Sequence, residues 1–245
     1  MAHSTPEVIA VIPVYNETAS IGQLVDDVVV QADITIVVDD GSTDDTAASL
    51  ATRPVTVVRH RTNRGKGAAL QTGLQAAISY APRWIATLDG DGQHTPSDLA
   101  RVIAAARTNP DAVITGARAD KAGTAPAARR IANGIADFFI SWAARQRLTD
   151  TQSGLRVYPG PVIEGLIQSG GAKAVGFGWE AESLIELCRA GASVVAVPIN
   201  AIYAHSASAS HYRPARDSAV ITAIVARKIL ARGLDPVGLV RALRG

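Results

Sequence analysis

The chain has 245 residues, 47% hydrophobic and 19% charged, which is enough to bury a sizeable core in one large domain or two small ones. A formal charge of only +2 argues against a general nucleic-acid binder. The single cysteine, Cys188, rules out an internal disulfide and fits a reducing compartment; set in Leu184-Ile185-Glu186-Leu187-Cys188, it reads as core packing.

The first residues lead through Pro6 and Glu7 into a strand, so no secretory signal is expected. No run of ~18 or more apolar residues occurs, and no membrane span is expected. Val8-Ile9-Ala10-Val11-Ile12 predicts a buried first strand ending at Pro13-Val14-Tyr15-Asn16-Glu17. Pro13 has no N–H, so pairing is expected to stop there. Tyr15 can stack on a base, and Glu17 can accept from base N–H or ribose O–H groups. Glu17 equally suits a helix start, where the dipole favours an acid. Ile21, Leu24, Val25, Val28 and Val29 then fall on one face of a helix.

Ile34–Val38 predicts a second strand, ending at Asp39-Asp40-Gly41-Ser42-Thr43-Asp44-Asp45. Ser42 or Thr43 suits an N-cap, with Asp44 or Asp45 in the first turn. Capping leaves Asp39 and Asp40 unexplained, and one of them is expected to contact a nucleotide base or sugar. Val55–Val58 is a short third strand. It precedes Asn63-Arg64-Gly65-Lys66-Gly67, which opens a helix to about Tyr80. Gly-Lys-Gly at a helix start resembles a phosphate cradle, with Lys66 a phosphate or base contact or simply a solvated helix start. Neither a P-loop nor G-x-G-x-x-G after the first strand is present, which argues against a dinucleotide enzyme.

Trp84–Leu88 predicts a fourth strand, running straight into Asp89-Gly90-Asp91-Gly92-Gln93-His94. Gly90 and Gly92 let the backbone turn so that Asp89 and Asp91 can converge on one cation. An oxygen-rich set suits Mg²⁺ or Mn²⁺, and the usual second ligand of such a cation is substrate phosphate. Thr95-Pro96-Ser97-Asp98 starts a helix with a cap, a proline and an acid, ending near Asn109-Pro110. Ala112–Gly116 is a fifth strand, followed by Arg118. Alternating strands and helices predict an α/β fold with a mostly parallel sheet and helices on both faces. Ligands in such sheets bind beyond the carboxyl ends of the strands, where residues 15–17, 39–40, 89–94 and 118 fall.

Together, Val11-Ile12-Pro13-Val14-Tyr15-Asn16-Glu17, Val38-Asp39-Asp40-Gly41-Ser42-Thr43-Asp44, Asn63-Arg64-Gly65-Lys66-Gly67 and Asp89-Gly90-Asp91-Gly92-Gln93-His94 resemble the family 2 glycosyltransferases with a GT-A fold. The branch most resembled is the polyprenyl-phosphate (dolichol-phosphate) mannose or glucose synthases. The resemblance is strong over 7–120, moderate to about 217 and weak beyond. It implies inverting transfer from a nucleotide-diphosphate sugar, GDP-mannose or UDP-glucose, with Mg²⁺ or Mn²⁺. It implies nucleotide contacts from Pro13, Tyr15, Glu17, Asp39, Asp40, Lys66, Asp89 and Gly90. Asp91 and Gln93 would ligate the metal, with Asp89 beside it.

The resemblance continues in the second half. Arg118 and Arg130 resemble the arginines that grip the lipid phosphate, a role the planar guanidinium suits. Arg130 opens a helix, Ile131 to about Arg147, whose Phe138, Phe139, Ile140 and Trp142 suit either a membrane interface or packing on the sheet. Asp150-Thr151-Gln152-Ser153-Gly154-Leu155-Arg156 resembles the stretch lining the sugar and acceptor side. Gly178-Trp179-Glu180 starts a helix and resembles a second such element. Asp150 and Glu180 are the two candidates for a base, or equally a loop and a helix-start carboxylate, and a phosphate acceptor needs little deprotonation. After a late strand, Val194–Ile199, the small-residue run 203–217 predicts a loop ordering over bound nucleotide. There Arg213 and Arg216 would neutralise the leaving diphosphate, and His205 or His211 either reaches metal or phosphates or is a surface histidine.

From 201 to 245 there are seven Lys/Arg against Asp217 and Asp235, which suggests an anionic partner such as phosphate or a membrane surface. The expected organisation is one catalytic domain, 1–216, with a nucleotide half to about 120 and an acceptor half beyond it. A basic amphipathic helical tail, 217–245, would follow. The expected acceptor is a polyprenyl phosphate, reached by a cytoplasmic protein lying peripherally at the cytoplasmic membrane face. Three rivals are a hydroxyl acceptor, which would make Asp150 or Glu180 essential, a sugar-nucleotide pyrophosphorylase, and a non-catalytic nucleotide-sugar binder.

Overall fold

The structure, a computed structural model, describes residues 5–118, 127–174, 176–200 and 214–244. Seven strands form one sheet: β1 Val8–Val14, β2 Ile34–Asp39, β3 Thr56–Arg59, β4 Trp84–Thr87, β5 Val113–Arg118, β6 Arg156–Pro159 and β7 Val194–Ile199. Their order is β3-β2-β1-β4-β6-β5-β7, and only β6 runs antiparallel to its neighbours. The helices are α1 Ile21–Val28, α2 Thr46–Leu50, α3 Lys66–Ile78, α4 Pro96–Thr108, α5 Ala127–Ala144, α6 Gly160–Ser169, α7 Gly178–Arg189, α8 Pro214–Leu230 and α9 Pro236–Arg244.

The Val/Ile-rich β1 and the short β4 are buried on both faces, as a sheet covered on both sides requires. Ile9 and Val11 face one cluster with Leu70 and Leu74 of α3, Ile140 of α5 and Leu184 of α7. Val8, Ala10 and Ile12 face the other, with Leu24 of α1 and Val102 of α4. Cys188 packs against the first cluster, and burial pushes its thiol up to about 12.

Three local expectations meet different outcomes. β1 does not stop at Pro13: it pairs with β2 through Val14↔Asp39. The reason is the alternation of a parallel strand. Val11 O accepts from Leu88 on the β4 side and Val14 O from Asp40 on the β2 side, so Pro13 faces β4. The β4 ladder ends at Val11↔Thr87, leaving no acceptor that needs a proline N–H. Nor do Ser42 and Thr43 cap α2, whose N-cap is Asp45. They tie the β2 loop to the β1 loop, Asn16 N donating to Ser42 Oγ at 3.0 Å and Thr43 N to Asn16 Oδ1 at 2.8 Å. Asp44 joins Thr18 and Thr46; burial opposes its charge, but these hydrogen bonds hold its carboxyl down to about 2. The start of α4 is as expected, with a reciprocal Thr95–Asp98 capping box and Pro96 in the first turn.

The C-terminal helices dock on this frame. Ile221, Ile224, Val225 and Ile229 of α8 are buried, and Lys228 Nζ reaches Glu182 at 2.8 Å and Glu186 at 2.7 Å. Residues 236–244 form a separate helix. Asp235 starts it, accepting from Arg145 Nε at 2.6 Å, Arg189 Nη1 at 3.0 Å and Gly238 N at 3.2 Å. The Arg145 hydrogen bond, above all, holds the Asp235 carboxyl well below the usual range. Asp235→Ala is expected to lower the melting temperature and to deprotect the amides of 236–244 first, read by hydrogen exchange. Among the described residues, no helix is long and apolar enough to cross a membrane.

Candidate active site

The ends of β1, β2, β4 and β5 lie along one edge of the sheet. Because β6 is reversed, its beginning joins them, Thr87↔Arg156 being paired in register. Thr87 Oγ1 donates to Gly154 O at 3.0 Å and fixes the approach of that turn. Gly154 lies so close to Asp89 that a Cβ would collide with its whole carboxylate. Gly90 likewise sits against β1, with Pro13 O only 3.0 Å from where a Cβ would be. Two backbone turns thus close around the D-x-D.

Lys66, the first residue of α3, links the acids of two other elements. Its Nζ is 2.6 Å from Asp89 Oδ1 and 2.9 Å from Glu180 Oε2 in the first turn of α7. Burial opposes the lysine's charge, but Asp89 and Glu180 raise its pKa overall. At Asp89 burial is the largest influence and opposes the charge, but Lys66, His94 and Arg156 together lower that carboxyl. Beneath them Arg156 is fully buried, donating to Glu180 O at 2.8 Å, Thr151 O at 2.9 Å and Ser153 O at 3.1 Å. It adds positive potential under both acids.

Asp91 is in the opposite condition. Burial first, and then the Asp89 charge, raise its carboxyl above the usual range. Asp91 Oδ1 accepts from Gln93 N at 3.0 Å. His94 is buried beside them with no hydrogen bond to Nδ1 among the described residues. Among the described residues no three His, Cys, Asp or Glu side chains converge as a metal cluster. The predicted oxygen set, Asp89, Asp91 and the Gln93 amide, still fits a hard divalent cation. Two acids whose like charges oppose each other are relieved by one, and the donors are of the right kind.

On the β1 loop, Glu17 is buried, and Ser20 Oγ contacts its Oε2 at 3.2 Å and Gly90 O at 2.9 Å. This joins the β1 and β4 loops, with Tyr15 beside them on the β1 loop. The two adjacent aspartates divide sharply. Asp40 is consumed internally, accepting from His60 Nδ1 at 2.6 Å, Gly65 N at 2.7 Å and Arg64 N at 2.9 Å. It thereby fixes the loop that presents Lys66. Asp39 Oδ1 accepts from Ser42 N at 2.8 Å, whereas Oδ2 has no hydrogen bond among the described residues, only the charge of Arg59 at 3.1 Å. Of the pair, Asp39 keeps acceptor capacity.

In the turn before β6, Asp150 is fully buried and grips Arg118. It accepts from Nη2 at 2.7 Å, and from Nε and backbone N at 2.8 Å each. Both base candidates therefore carry a cation, Arg118 on Asp150 and Lys66 on Glu180. The Arg130 and Arg216 side chains, Arg213, His205 and His211 lie outside the described residues. A cavity of about 430 Å³ lined by Arg145, Arg189 and Arg241 lies instead beside Ser193, at the opposite edge of the sheet.

Sequence reasoning gave Arg156, Gly154 and Asp137 no individual role in the site, reading Asp137 only as a polar interruption of its helix. A lone arginine within Leu155-Arg156-Val157-Tyr158 was the available signal, since an uncompensated charge in a buried strand is costly. Nothing local marked Asp137 as a partner of the Asp150 turn.

The sheet order, its one reversed strand and the acidic turn after β4 define the fold of GT-A nucleotide-sugar transferases. The chain belongs to Glycosyl transferase family 2, whose sequence profile matches residues 9–159, and is a glycosyltransferase. It is 30% identical to an undecaprenyl-phosphate mannosyltransferase of Micrococcus luteus over 203 residues, 78% of this chain and 82% of that one. It is 28% identical to a UDP-N-acetylglucosamine–dolichyl-phosphate N-acetylglucosaminyltransferase of Methanococcus voltae over 214 residues, 79% and 84% of the two chains. Glucosyl-3-phosphoglycerate synthase of Mycobacterium tuberculosis, solved with Mn²⁺, UDP and phosphoglyceric acid, superposes with a TM-score of 0.68 at 19% identity. The match covers 93% of this chain and 78% of that one.

Proposed function

We propose that the chain transfers mannose or glucose from GDP-mannose or UDP-glucose to the phosphate of a polyprenyl lipid, inverting the anomeric centre, at the cytoplasmic face of the membrane. The observation that carries this reading is the pairing of both candidate bases. Asp150 is saturated by Arg118 and Glu180 is paired with Lys66, which suits an acceptor that arrives ionised. A phosphate monoester, with a second pKa near ~6, is such an acceptor; a sugar hydroxyl is not. The names of the relatives near 30% identity support the same acceptor class.

In this reading Asp39, Glu17, Tyr15 and Pro13 hold the nucleoside, and Lys66, Asp89 and Gly90 line the route to the diphosphate. Asp91, Gln93 and Asp89 would hold Mg²⁺ or Mn²⁺, which when bound neutralises charge on the diphosphate. Arg118, with Arg130, orients the acceptor phosphate. Its oxygen forms the new bond to the anomeric carbon as the bond to the nucleotide diphosphate breaks, giving a β-glycosyl phosphate. Arg213 and Arg216 stabilise the departing diphosphate. The catalytic unit is 1–216, with 217–245 as a basic helical extension.

A partition assay tests the acceptor. Labelled GDP-mannose, UDP-glucose and UDP-N-acetylhexosamines are offered in turn with and without polyprenyl phosphate. Label entering the organic phase only with lipid phosphate supports the reading and names the donor. Metal-dependent donor hydrolysis with no organic-phase label overturns the lipid-phosphate acceptor in favour of a hydroxyl.

Membrane contact has its own test. Ile131, Ile135 and Phe139 are exposed on one face of α5, and Val237, Val240 and Leu243 are exposed on α9 beside Arg241 and Arg244. Apolar faces flanked by arginines match an anionic bilayer. Converting Ile131, Ile135 and Phe139 to Asp is expected to abolish co-sedimentation with phosphatidylglycerol vesicles while leaving nucleotide binding intact. Unchanged sedimentation removes α5 from the membrane contact.

A further inference from the structure

We propose that Asp137, on α5, is a positioning residue for the acceptor arginine, acting on Arg118 through the Asp150 turn; this rests on the reading that Arg118 binds the acceptor phosphate. The geometry is continuous. Asp137 Oδ1 accepts from Thr151 N at 2.9 Å and Thr151 Oγ1 at 2.7 Å, and Oδ2 accepts from Asp150 N at 3.2 Å. These bonds stabilise Asp150 at φ 52°, a left-handed conformation that non-glycine residues seldom adopt. In that conformation the Asp150 carboxylate meets the Arg118 guanidinium edge-on with two parallel bonds, and a third bond takes the Arg118 backbone N–H. The orientation of the Arg118 guanidinium is thereby set by Asp150.

The relay starts on a helix whose other side faces out. Asp137 lies opposite Ile131, Ile135 and Phe139, which are 63%, 54% and 42% exposed. One rigid element therefore carries the apolar stripe on one side and the anchor of the acceptor arginine on the other. A carboxylate is required at 137 because the turn presents two N–H groups and one O–H. An amide of the same shape offers a single acceptor oxygen and puts an NH₂ against a donor.

A double-mutant cycle with steady-state kinetics for both substrates tests this. Asp137→Asn is expected to raise KM for polyprenyl phosphate about tenfold or more, with KM for the sugar nucleotide and the affinity for free nucleotide diphosphate unchanged. In an Arg118→Ala background the same change should have no further effect on the acceptor KM. Thr151→Val, which removes one bond of the three, is expected to shift the acceptor KM in the same direction by about two- to threefold, and stands in if Asp137→Asn does not fold. Full additivity with Arg118→Ala, or a parallel rise in both KM values, overturns the relay. An acceptor KM that Arg118→Ala itself leaves unchanged overturns instead the assignment of Arg118 to the acceptor.

Discussion

Asp91→Asn is expected to reduce sugar transfer by about 1,000-fold or more, which corresponds to roughly 4 kcal/mol of transition-state stabilisation. The carboxylate is in a costly state, since burial and the neighbouring Asp89 charge both favour its protonated form. A group whose folded pKa lies above its ordinary value favours folding below that ordinary value and opposes it as pH rises past the folded one. At neutral pH without divalent cation, the amide variant should therefore melt at or above the wild-type temperature. The wild type should gain stability when Mn²⁺ and nucleotide diphosphate are added together, and the variant should not. Thermal melts with and without Mn²⁺, set beside transfer rates, check both halves. A variant that keeps transfer, or that loses stability as it loses activity, removes Asp91 from the proposed cation site.

Gly154→Ala is expected to lower kcat/KM by about 100-fold, near 2.7 kcal/mol, although the change adds only one methyl group. The added Cβ would enter the space of the Asp89 carboxylate. Asp89 cannot step aside cheaply, because Lys66 holds it and is itself held by Glu180. The Gly154 backbone cannot retreat, because Thr87 donates to its carbonyl and β6 pairs with β4 immediately beyond. The strain should therefore fall on Asp89 and on the Lys66 bridge. Gly165→Ala, on α6 with nothing within 4 Å of the added methyl, is the matched control, expected to leave activity unchanged. Equal activity in the two variants means that the position of Asp89 does not matter to turnover.

Much of this architecture was legible in residue order. Strands β1 and β2 announce themselves as Val/Ile-rich runs and β4 as a short apolar run, because a sheet covered on both faces leaves no polar side to alternate with. Each ends where polar residues begin, so the functional edge follows from the strand–helix alternation alone. Asp89-Gly90-Asp91, Gly65-Lys66-Gly67 and the Thr95 cap are local signals, written within a few residues of one another, and the local structure keeps them.

What the order of residues left open concerns partners far apart along the chain. Asp39 and Asp40 are neighbours with the same side chain, yet the alternation of an extended segment sends Asp40 to His60 and the α3 loop and leaves Asp39 Oδ2 without a hydrogen bond among the described residues. Pro13 reads as a terminator until the sheet order shows that its missing N–H faces a ladder that has already ended. Residues 156–159 carry no sign of direction, but β6 enters between β4 and β5 reversed, and only that reversal delivers Gly154 and Arg156 to the D-x-D. Lys66 between Asp89 and Glu180, and Asp137 beneath the Asp150 turn, are joined by packing rather than by spacing. Short-range pattern reports which face of an element avoids water; which charge meets which is decided when those faces close on one another.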